Sequence, residues 1–155
     1  MTVRIRRARP TDALRIRNLH VRSIRGLCAR DYTRREIDAW TKNRTAAGYR
    51  YWMTKGGESM YVATVGDRPV AFGALHGAEV RAVYVDPPWA GRGVGARMLE
   101  RLERDALARG EHRLHLNATL TAIEFYRRHG WRRGRPGAHV RNGVPIRCVR
   151  MTKRV

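Results

Sequence analysis

Three glycines at alternating positions are the residues of this 155-residue chain with the clearest chemical meaning. Gly91, Gly93 and Gly95 follow an apolar segment and precede a segment with helical periodicity. Because glycine lacks a Cβ atom, the backbone there can approach a ligand closely and present consecutive N–H groups to it. The N-terminus of the following helix adds partial positive charge at the same place. The segment therefore predicts a binding site for a phosphate-bearing ligand.

The same glycines also allow a dinucleotide-binding interpretation. Gly91-x-Gly93-x-x-Ala96 fits the fingerprint Gly-x-Gly-x-x-Gly/Ala. In a dinucleotide-binding fold the loop follows its strand almost directly, and an acidic residue ends the next strand. Here residues 86–90 intervene, and the next predicted strand ends at Asn117. The context of the loop therefore disfavours a dinucleotide.

Two blocks of the chain, the glycine loop at residues 90–96 and a Phe-Tyr block at residues 117–131, resemble motifs of the Gcn5-related N-acetyltransferase (GNAT) family. Residues 90–96 read Ala-Gly-Arg-Gly-Val-Gly-Ala and resemble its acyl-CoA-binding motif, Gln/Arg-x-x-Gly-x-Gly/Ala, with Ala90 in place of Gln or Arg. Residues 117–131 contain Ala-Ile-Glu-Phe-Tyr-Arg-Arg-His-Gly-Trp and resemble the later signature Ala-x-x-Phe-Tyr-x-x-x-Gly-aromatic. That block departs from the family at Thr121, where Asn is common. Two such blocks in this order are far more specific than one glycine loop.

The resemblance covers nearly the whole chain and implies one GNAT domain over residues 1–155. It implies an α/β (α+β) fold in which helices flank a central, mostly antiparallel mixed sheet. The hydrophobic pattern agrees, because it predicts a strand, two helices, three strands, a helix, a strand, a helix and two strands. Capping-box spacing at residues 33–36 and 121–124 predicts two helix starts. Residues 134–143, which contain Gly, Pro and Asn, predict a connection between the last two strands.

The resemblance also implies acetyl-CoA as the acyl donor. In the family, the pantetheine arm pairs with a strand that corresponds to Val83, Tyr84 and Val85, and a backbone N–H of Tyr84 or Val85 would polarise the thioester carbonyl. The pyrophosphate would lie on the N–H groups of residues 92–96. The donor-binding positions implied in this way are Val83, Tyr84, Val85, Gly91, Arg92, Gly93, Val94, Gly95, Ala96 and Asn117.

Two residues match the catalytic positions of the family. Tyr126 falls on the position of the general acid, which gives a proton to the departing sulfur of coenzyme A. Glu79 aligns without gaps with the glutamate that acts as base in the histone-acetylating branch. His76 and ordered water are alternative bases, because imidazole has a suitable ordinary pKa and many relatives deprotonate the amine through water. The expected reaction is direct attack of an amine on the donor in a ternary complex.

The acceptor amine is not identified by any motif in the sequence. Cys28, Tyr32 and Trp40 lie where the family places its acceptor-binding helices, and this region resembles a subgroup of uncharacterised bacterial N-acyltransferases. These side chains either line the acceptor pocket or pack in the core. We expect residues 20–55 and 134–143 to form the pocket, for an amine carried by a small molecule or a protein.

The chain is strongly basic, with 33 Lys and Arg against 13 Asp and Glu and a formal net charge of +20. Only Lys42, Lys55 and Lys153 are lysines, and the arginines are scattered from Arg4 to Arg154 without forming one basic arm. Such a spread is more typical of an arginine-rich composition of the source genome than of a basic stripe that binds nucleic acid. We expect no nucleic-acid partner, although a non-catalytic GNAT-fold module that binds a polyanion through its basic surface stays open as the competing hypothesis.

Metal and membrane sites are not expected. Cys28 and Cys148 are too few for a disulfide framework and lack the spacing of a zinc site. His112 and His115 would point to opposite faces of a strand. The apolar runs are short, and a charged strand begins at Val3, so we predict a cytoplasmic protein without a membrane segment. The sequence leaves open whether the chain forms a homodimer.

Overall fold

The computed structural model describes residues 2–155, which form a seven-stranded sheet with helices packed on both faces. The strands are β1 (Val3–Arg7), β2 (Ser59–Val65), β3 (Arg68–His76), β4 (Glu79–Val85), β5 (Arg113–Thr119), β6 (Arg132–Arg141) and β7 (Val144–Arg154). The α-helices are α1 (Ala13–Leu27), α2 (Arg34–Thr41), α3 (Ala46–Thr54), α4 (Val94–Ala108) and α5 (Ile123–Arg128). This arrangement confirms the predicted fold class.

The sheet has the strand order β1-β2-β3-β4-β5-β7-β6, and β4 and β5 are its parallel neighbours. The other neighbouring strands are antiparallel. Pairing between β4 and β5 is confined to one position, Glu79 opposite His115, where the His115 N–H donates to the Ala78 carbonyl at 3.1 Å. Beyond this point the two strands separate, so the edge of β4 that faces β5 keeps unpaired backbone groups.

Alternation of side chains along β4 divides the core into two layers. Val83 and Val85 pack in the layer beneath α4, whereas Ala82 and Tyr84 pack in the layer beneath α1 and α3. A ligand between β4 and β5 would lie in the gap that joins these two layers. The sheet thus brings side chains from both faces to the place where β4 and β5 separate.

Helix α4 lies unusually close to β3. A Cβ atom on Gly73 would lie only 2.7 Å from the Met98 side chain, so this approach requires a glycine. Next to Met98 on α4, the Arg97 guanidinium donates to the Val3 carbonyl at 3.0 Å. These contacts fix the N-terminus of α4 against the sheet.

Helix α3 was not predicted from the sequence. Thr45 caps it, because its hydroxyl accepts a hydrogen bond from the Gly48 N–H at 3.2 Å. No Glu or Gln follows at the third helical position, and Gly48 lowers the helix propensity. Tyr49 is the only residue of α3 that is buried, so the apolar periodicity that identified the other helices is weak here.

The prediction of a connection over residues 134–143 was wrong, because most of that segment belongs to β6. The turn between β6 and β7 is only Asn142-Gly143, and both residues have positive φ angles, 50° and 78°. This pair is the typical turn of a two-residue hairpin. Pro136 is tolerated because β6 is an edge strand and its register shifts between Arg133 and Pro136.

The two predicted capping boxes had different outcomes. Thr33 and Glu36 form the predicted box at the start of α2. Thr121 does not cap α5, which begins at Ile123, and the Thr121 hydroxyl instead donates to Asp31 at 2.8 Å. No helix within residues 2–155 is long and apolar enough to cross a membrane.

Candidate active site

The glycine loop has the geometry of an anion cradle. Gly91 and Gly93 have φ angles of 74° and 82°, in the left-handed region that favours glycine. The first backbone hydrogen bond of α4 runs from the Arg97 N–H to the Gly93 carbonyl at 3.1 Å. The N–H groups of residues 92–96 have no acceptor within residues 2–155, and the first turn of α4 contains no acidic side chain. Several free donors and the helix dipole therefore converge on one place.

Aromatic side chains border this cradle. The Arg92 guanidinium lies 5.0 Å from the centre of the Trp89 ring, which keeps its charge near the loop. A Cβ atom on Gly95 would lie 3.5 Å from the Phe125 ring and 3.5 Å from Val85. The cradle is thus open on the side of Gly91 and Gly93 and closely packed at Gly95.

A cavity of about 860 Å³ opens beside the separated strands. It is bounded by α1, the α2–α3 region, strands β2 to β5 and the β6–β7 hairpin, and its lining includes residues from both 20–55 and 134–143. Residues that line it include His20, Tyr49, Glu79, Tyr84, Asn117 and Arg141. Its volume is in the range of pockets that hold a small-molecule ligand.

Glu79 lies on the wall of this cavity in a cluster of charges. The Arg81 guanidinium donates to one Glu79 oxygen at 2.8 Å and to Glu58 at 3.1 Å, and it lies 5.0 Å from the centre of a Trp52 ring. Burial raises the pKa of the Glu58 carboxyl, and Arg81 opposes that effect. The second Glu79 oxygen makes no hydrogen bond within the described part of the chain. Glu79 therefore retains one free acceptor, whereas His76 does not line the cavity.

Tyr126 lies in the layer beneath α4 and does not line this cavity. Its ring centre is 5.1 Å from that of Phe125 and 5.9 Å from that of Trp131, and its side chain is 6 % exposed. The hydroxyl has no partner within residues 2–155 but is not sealed from solvent. Burial raises the pKa of the Tyr126 hydroxyl well above its ordinary value, so it is protonated at neutral pH.

Residues 28–155 match the family model for the acetyltransferase (GNAT) domain. The chain belongs to the GNAT family. This finding confirms the resemblance seen in the sequence, and it makes the chain an N-acetyltransferase by class.

Individual relatives agree with the family assignment. The uncharacterized N-acetyltransferase YafP of Escherichia coli (strain K12) is 25 % identical over 130 residues, which cover 83 % of this chain and 81 % of YafP. The GCN5-related N-acetyltransferase (Aminotransferase, Class-II) from Rhodopseudomonas palustris has a crystal structure with a TM-score of 0.91, at 30 % identity over 100 % of this chain and 97 % of that one. The PaiA N-acetyltransferase from Thermoplasma acidophilum, solved in complex with coenzyme A, shares the fold, with a TM-score of 0.80 at 16 % identity over the full length of both chains.

The cavity wall of this GNAT protein contains a buried histidine that the sequence analysis missed. The His20 Nδ1 atom lies 2.8 Å from the Tyr49 hydroxyl, and the His20 ring centre lies 4.2 Å from that of Tyr84. The Nε2 atom of His20 is buried without a hydrogen-bond partner in the described chain. The available signal was a single histidine among the buried residues of α1, which also include Ile16 and Ile24.

The three residues expected near the acceptor have different places. Tyr32 and Trp40 line the cavity, but both also pack in the core beneath α2. The Tyr32 hydroxyl donates to the Arg147 carbonyl at 2.6 Å and accepts from the Leu120 N–H at 2.9 Å, and burial raises its pKa to about 12. Cys28 is buried in the same core and does not reach the cavity. Tyr32 therefore mainly links the segment between α1 and α2 to β7 and to the segment that follows β5.

On the opposite wall, Asn117 is exposed on β5, and its side-chain amide makes no hydrogen bond within residues 2–155. Its amide is free to bind a ligand that lies between β4 and β5. Nowhere along residues 2–155 do three His, Cys, Asp or Glu side chains come together as metal ligands.

Proposed function

We propose that this protein transfers the acetyl group of acetyl-CoA to the amine of an acceptor by direct attack in a ternary complex. The observation that carries the proposal is the combination of free N–H groups at residues 92–96 with the unpaired edge of β4 beside them. A pyrophosphate needs the first feature, and an extended amide-containing arm needs the second.

The donor would lie along β4 in place of a paired strand. Because β5 leaves β4 after the Glu79–His115 pair, the backbone from Val83 to Val85 is free to bond to the amides of the pantetheine arm. Asn117 would contact the arm from β5. A likeness to PaiA in complex with coenzyme A supports this placement, because the two proteins share the fold.

In the transfer step, the acceptor nitrogen attacks the thioester carbonyl carbon and forms a C–N bond, while the C–S bond breaks. A backbone N–H of Tyr84 or Val85 would stabilise the developing oxyanion. Tyr126 would give its proton to the departing sulfur, and its raised pKa keeps that proton in place until charge develops there. The proton lost by the amine would pass to Glu79, directly or through water.

Glu79 is the preferred base because it lies on the cavity wall and keeps one oxygen free of Arg81. The Arg81 contact orients this carboxylate but does not occupy both oxygens. His76 is less suited, because it lies beside Gly57 and Trp52, outside the cavity wall.

The test is a turnover assay in which release of the coenzyme A thiol is followed with acetyl-CoA and a panel of amines. We expect thiol release to depend on both substrates and to match the acetylated amine measured by mass spectrometry. Thiol release without an acetylated product, or none with any amine, would contradict the proposed transfer.

A further inference from the structure

The cavity holds two arginine side chains that lack an anionic partner. Arg44 and Arg141 both line it, and neither forms an ion pair within residues 2–155. The Arg44 Nε atom donates to the Trp40 carbonyl at 2.8 Å, which fixes that side chain at the cavity wall. The Arg141 Nε atom is fully buried and has no acceptor. A buried guanidinium donor without a partner is unfavourable, because it loses its hydrogen bonds to water and forms none with the protein.

Other arginines at this cavity are neutralised. The Arg147 guanidinium binds Glu36 through two hydrogen bonds of 2.8 Å and 2.9 Å, and Arg81 bridges Glu58 and Glu79. These side chains have structural partners within the fold. Arg44 and Arg141 differ from them, so their charges remain available to a ligand.

The two free guanidinium groups act on the same part of the cavity. The Arg44 charge contributes to the lowered pKa of Arg141, and both arginines lower the pKa of His20 and of His139, in each case beside the larger effect of burial. Their chain neighbours Asn43 and Asn142 are in contact, because the Asn43 side-chain amide donates to Asn142 Oδ1 at 3.3 Å. Like charges on neighbouring segments of a partly desolvated cavity wall repel one another. An anion between them would relieve both the repulsion and the unmet hydrogen bond of Arg141.

A path of aromatic side chains leads from these arginines to the reacting end of the donor. Both arginines line the same cavity as Tyr49, the Tyr49 hydroxyl contacts His20, and the His20 ring lies against Tyr84 on β4. The buried Nε2 atom of His20 lies on this path without a partner. A small molecule with an anionic group at the arginines would therefore extend its other end toward β4.

We propose that the acceptor of this enzyme is a small amine that also carries a carboxylate, with the carboxylate bound by Arg44 and Arg141 and the amine directed past His20 toward β4. This inference rests on the proposed acetyl transfer. A planar guanidinium matches the two oxygens of a carboxylate, which favours that anion. The same positive field favours loss of a proton from the acceptor ammonium, which produces the neutral nucleophile that the reaction needs.

The test compares amines that differ only in a carboxylate: phenylalanine with phenethylamine, histidine with histamine, lysine with cadaverine, and β-alanine with ethylamine. Phosphoethanolamine and ethanolamine form a further pair, for a phosphate as the anion. We expect kcat/KM to be at least about tenfold higher for the carboxylated member of at least one pair, because a site built to bond a polar group rejects the analogue that lacks it.

Arg141→Met should remove this preference by raising KM for the carboxylated amine at least about tenfold, while the Kd for acetyl-CoA measured by calorimetry stays unchanged. Arg135→Met, on the exposed part of β6, is the matched control and should leave both values unchanged. Arg44→Met provides a second, independent removal of charge if Arg141→Met does not fold.

The outcomes separate the inference from the proposed function. Failure of the wild-type protein to bind acetyl-CoA would overturn the proposed function itself. Binding of acetyl-CoA with equal or better acetylation of the amines that lack a carboxylate would overturn only the inference. A preference for phosphoethanolamine would also overturn only the inference, whereas no acetylation of any amine by protein that binds acetyl-CoA would overturn the proposed transfer and the inference with it.

Discussion

The Nδ1 atom of His20 lies 2.8 Å from the Tyr49 hydroxyl, while the Nε2 atom of the same ring is buried without a partner. Burial lowers the pKa of His20 well below its ordinary value, and the charges of Arg44 and Arg141 add to this effect. The imidazole is therefore neutral at physiological pH. One nitrogen is used by the fold, and the other remains free at the cavity wall.

The neutral state of His20 makes stability depend on pH. Because its folded pKa is depressed, the unfolded chain binds a proton that the folded chain does not, so stability falls as the pH drops below about 6.5, the ordinary value. His20→Gln should flatten the loss in unfolding free energy between about pH 7.5 and pH 5.5, measured by denaturant titration. The exposed His112 is the control, because His112→Gln should keep the wild-type slope. An unchanged slope in His20→Gln would show that His20 is not buried in its neutral form.

Glu36 contributes to stability through its bonds to Arg147 and to the Thr33 N–H, which hold the pKa of this carboxyl at about 2. Its contribution is fully present above about pH 4.5 and is lost as the pH falls toward 2. Glu36→Gln should cost about 1–3 kcal/mol at pH 7, with a smaller difference from wild type in acid. Unfolding curves at both pH values test this expectation, with the exposed Glu100→Gln as control. A difference that does not shrink in acid would count against the ion pair.

We expect the backbone conformation of Gly93 to be required for tight binding of acetyl-CoA. Gly93→Ala should lower the free energy of unfolding by about 1–2 kcal/mol, because alanine disfavours the φ angle of 82° at this position. Distortion of the loop should also remove at least one charge-assisted bond and weaken acetyl-CoA binding about tenfold. Gly66→Ala, in the β2–β3 turn at φ 58°, carries a similar backbone penalty away from the loop. Equal acetyl-CoA affinity in Gly93→Ala and Gly66→Ala would refute the cradle.

Tyr126→Phe should lower kcat by more than about tenfold with little change in the Kd for acetyl-CoA, because it removes the proton given to sulfur and keeps the ring. Tyr61→Phe is the comparison, since Tyr61 is also buried beneath α4 but donates its hydroxyl to Asp105. Tyr61→Phe should lower stability and leave kcat unchanged. Undiminished kcat in Tyr126→Phe would rule out the acid role.

Local chemistry explains which elements could be predicted from the sequence. The box formed by Thr33 and Glu36 and the glycines before α4 involve neighbouring residues whose types require one backbone geometry. Helix α3 lacks such a pattern, because Gly48 lies inside it and Tyr49 is its single buried residue. The β6–β7 hairpin was obscured by Pro136, which is acceptable only on an edge strand.

The residues of the candidate site also differ in whether they could be predicted from the sequence. Glu79, Gly93 and Tyr126 lie in or beside motifs, so their positions could be inferred along the chain. His20 lies on α1, Arg44 in the α2–α3 connection and Arg141 on β6. Their meeting at one cavity depends on how these distant segments pack around β4. The pattern of residues along the chain does not indicate that Arg44 and Arg141 will lack a carboxylate partner.

The most direct test of the central claim is calorimetric titration of the protein with acetyl-CoA at moderate salt, with ATP and NAD as anionic controls. These controls matter because the net charge of +20 attracts any polyanion, and salt screens that diffuse attraction. The proposed site predicts saturable one-to-one binding of acetyl-CoA and much weaker binding of ATP and NAD. Equal binding of all three anions, or no saturable binding of acetyl-CoA, would contradict it.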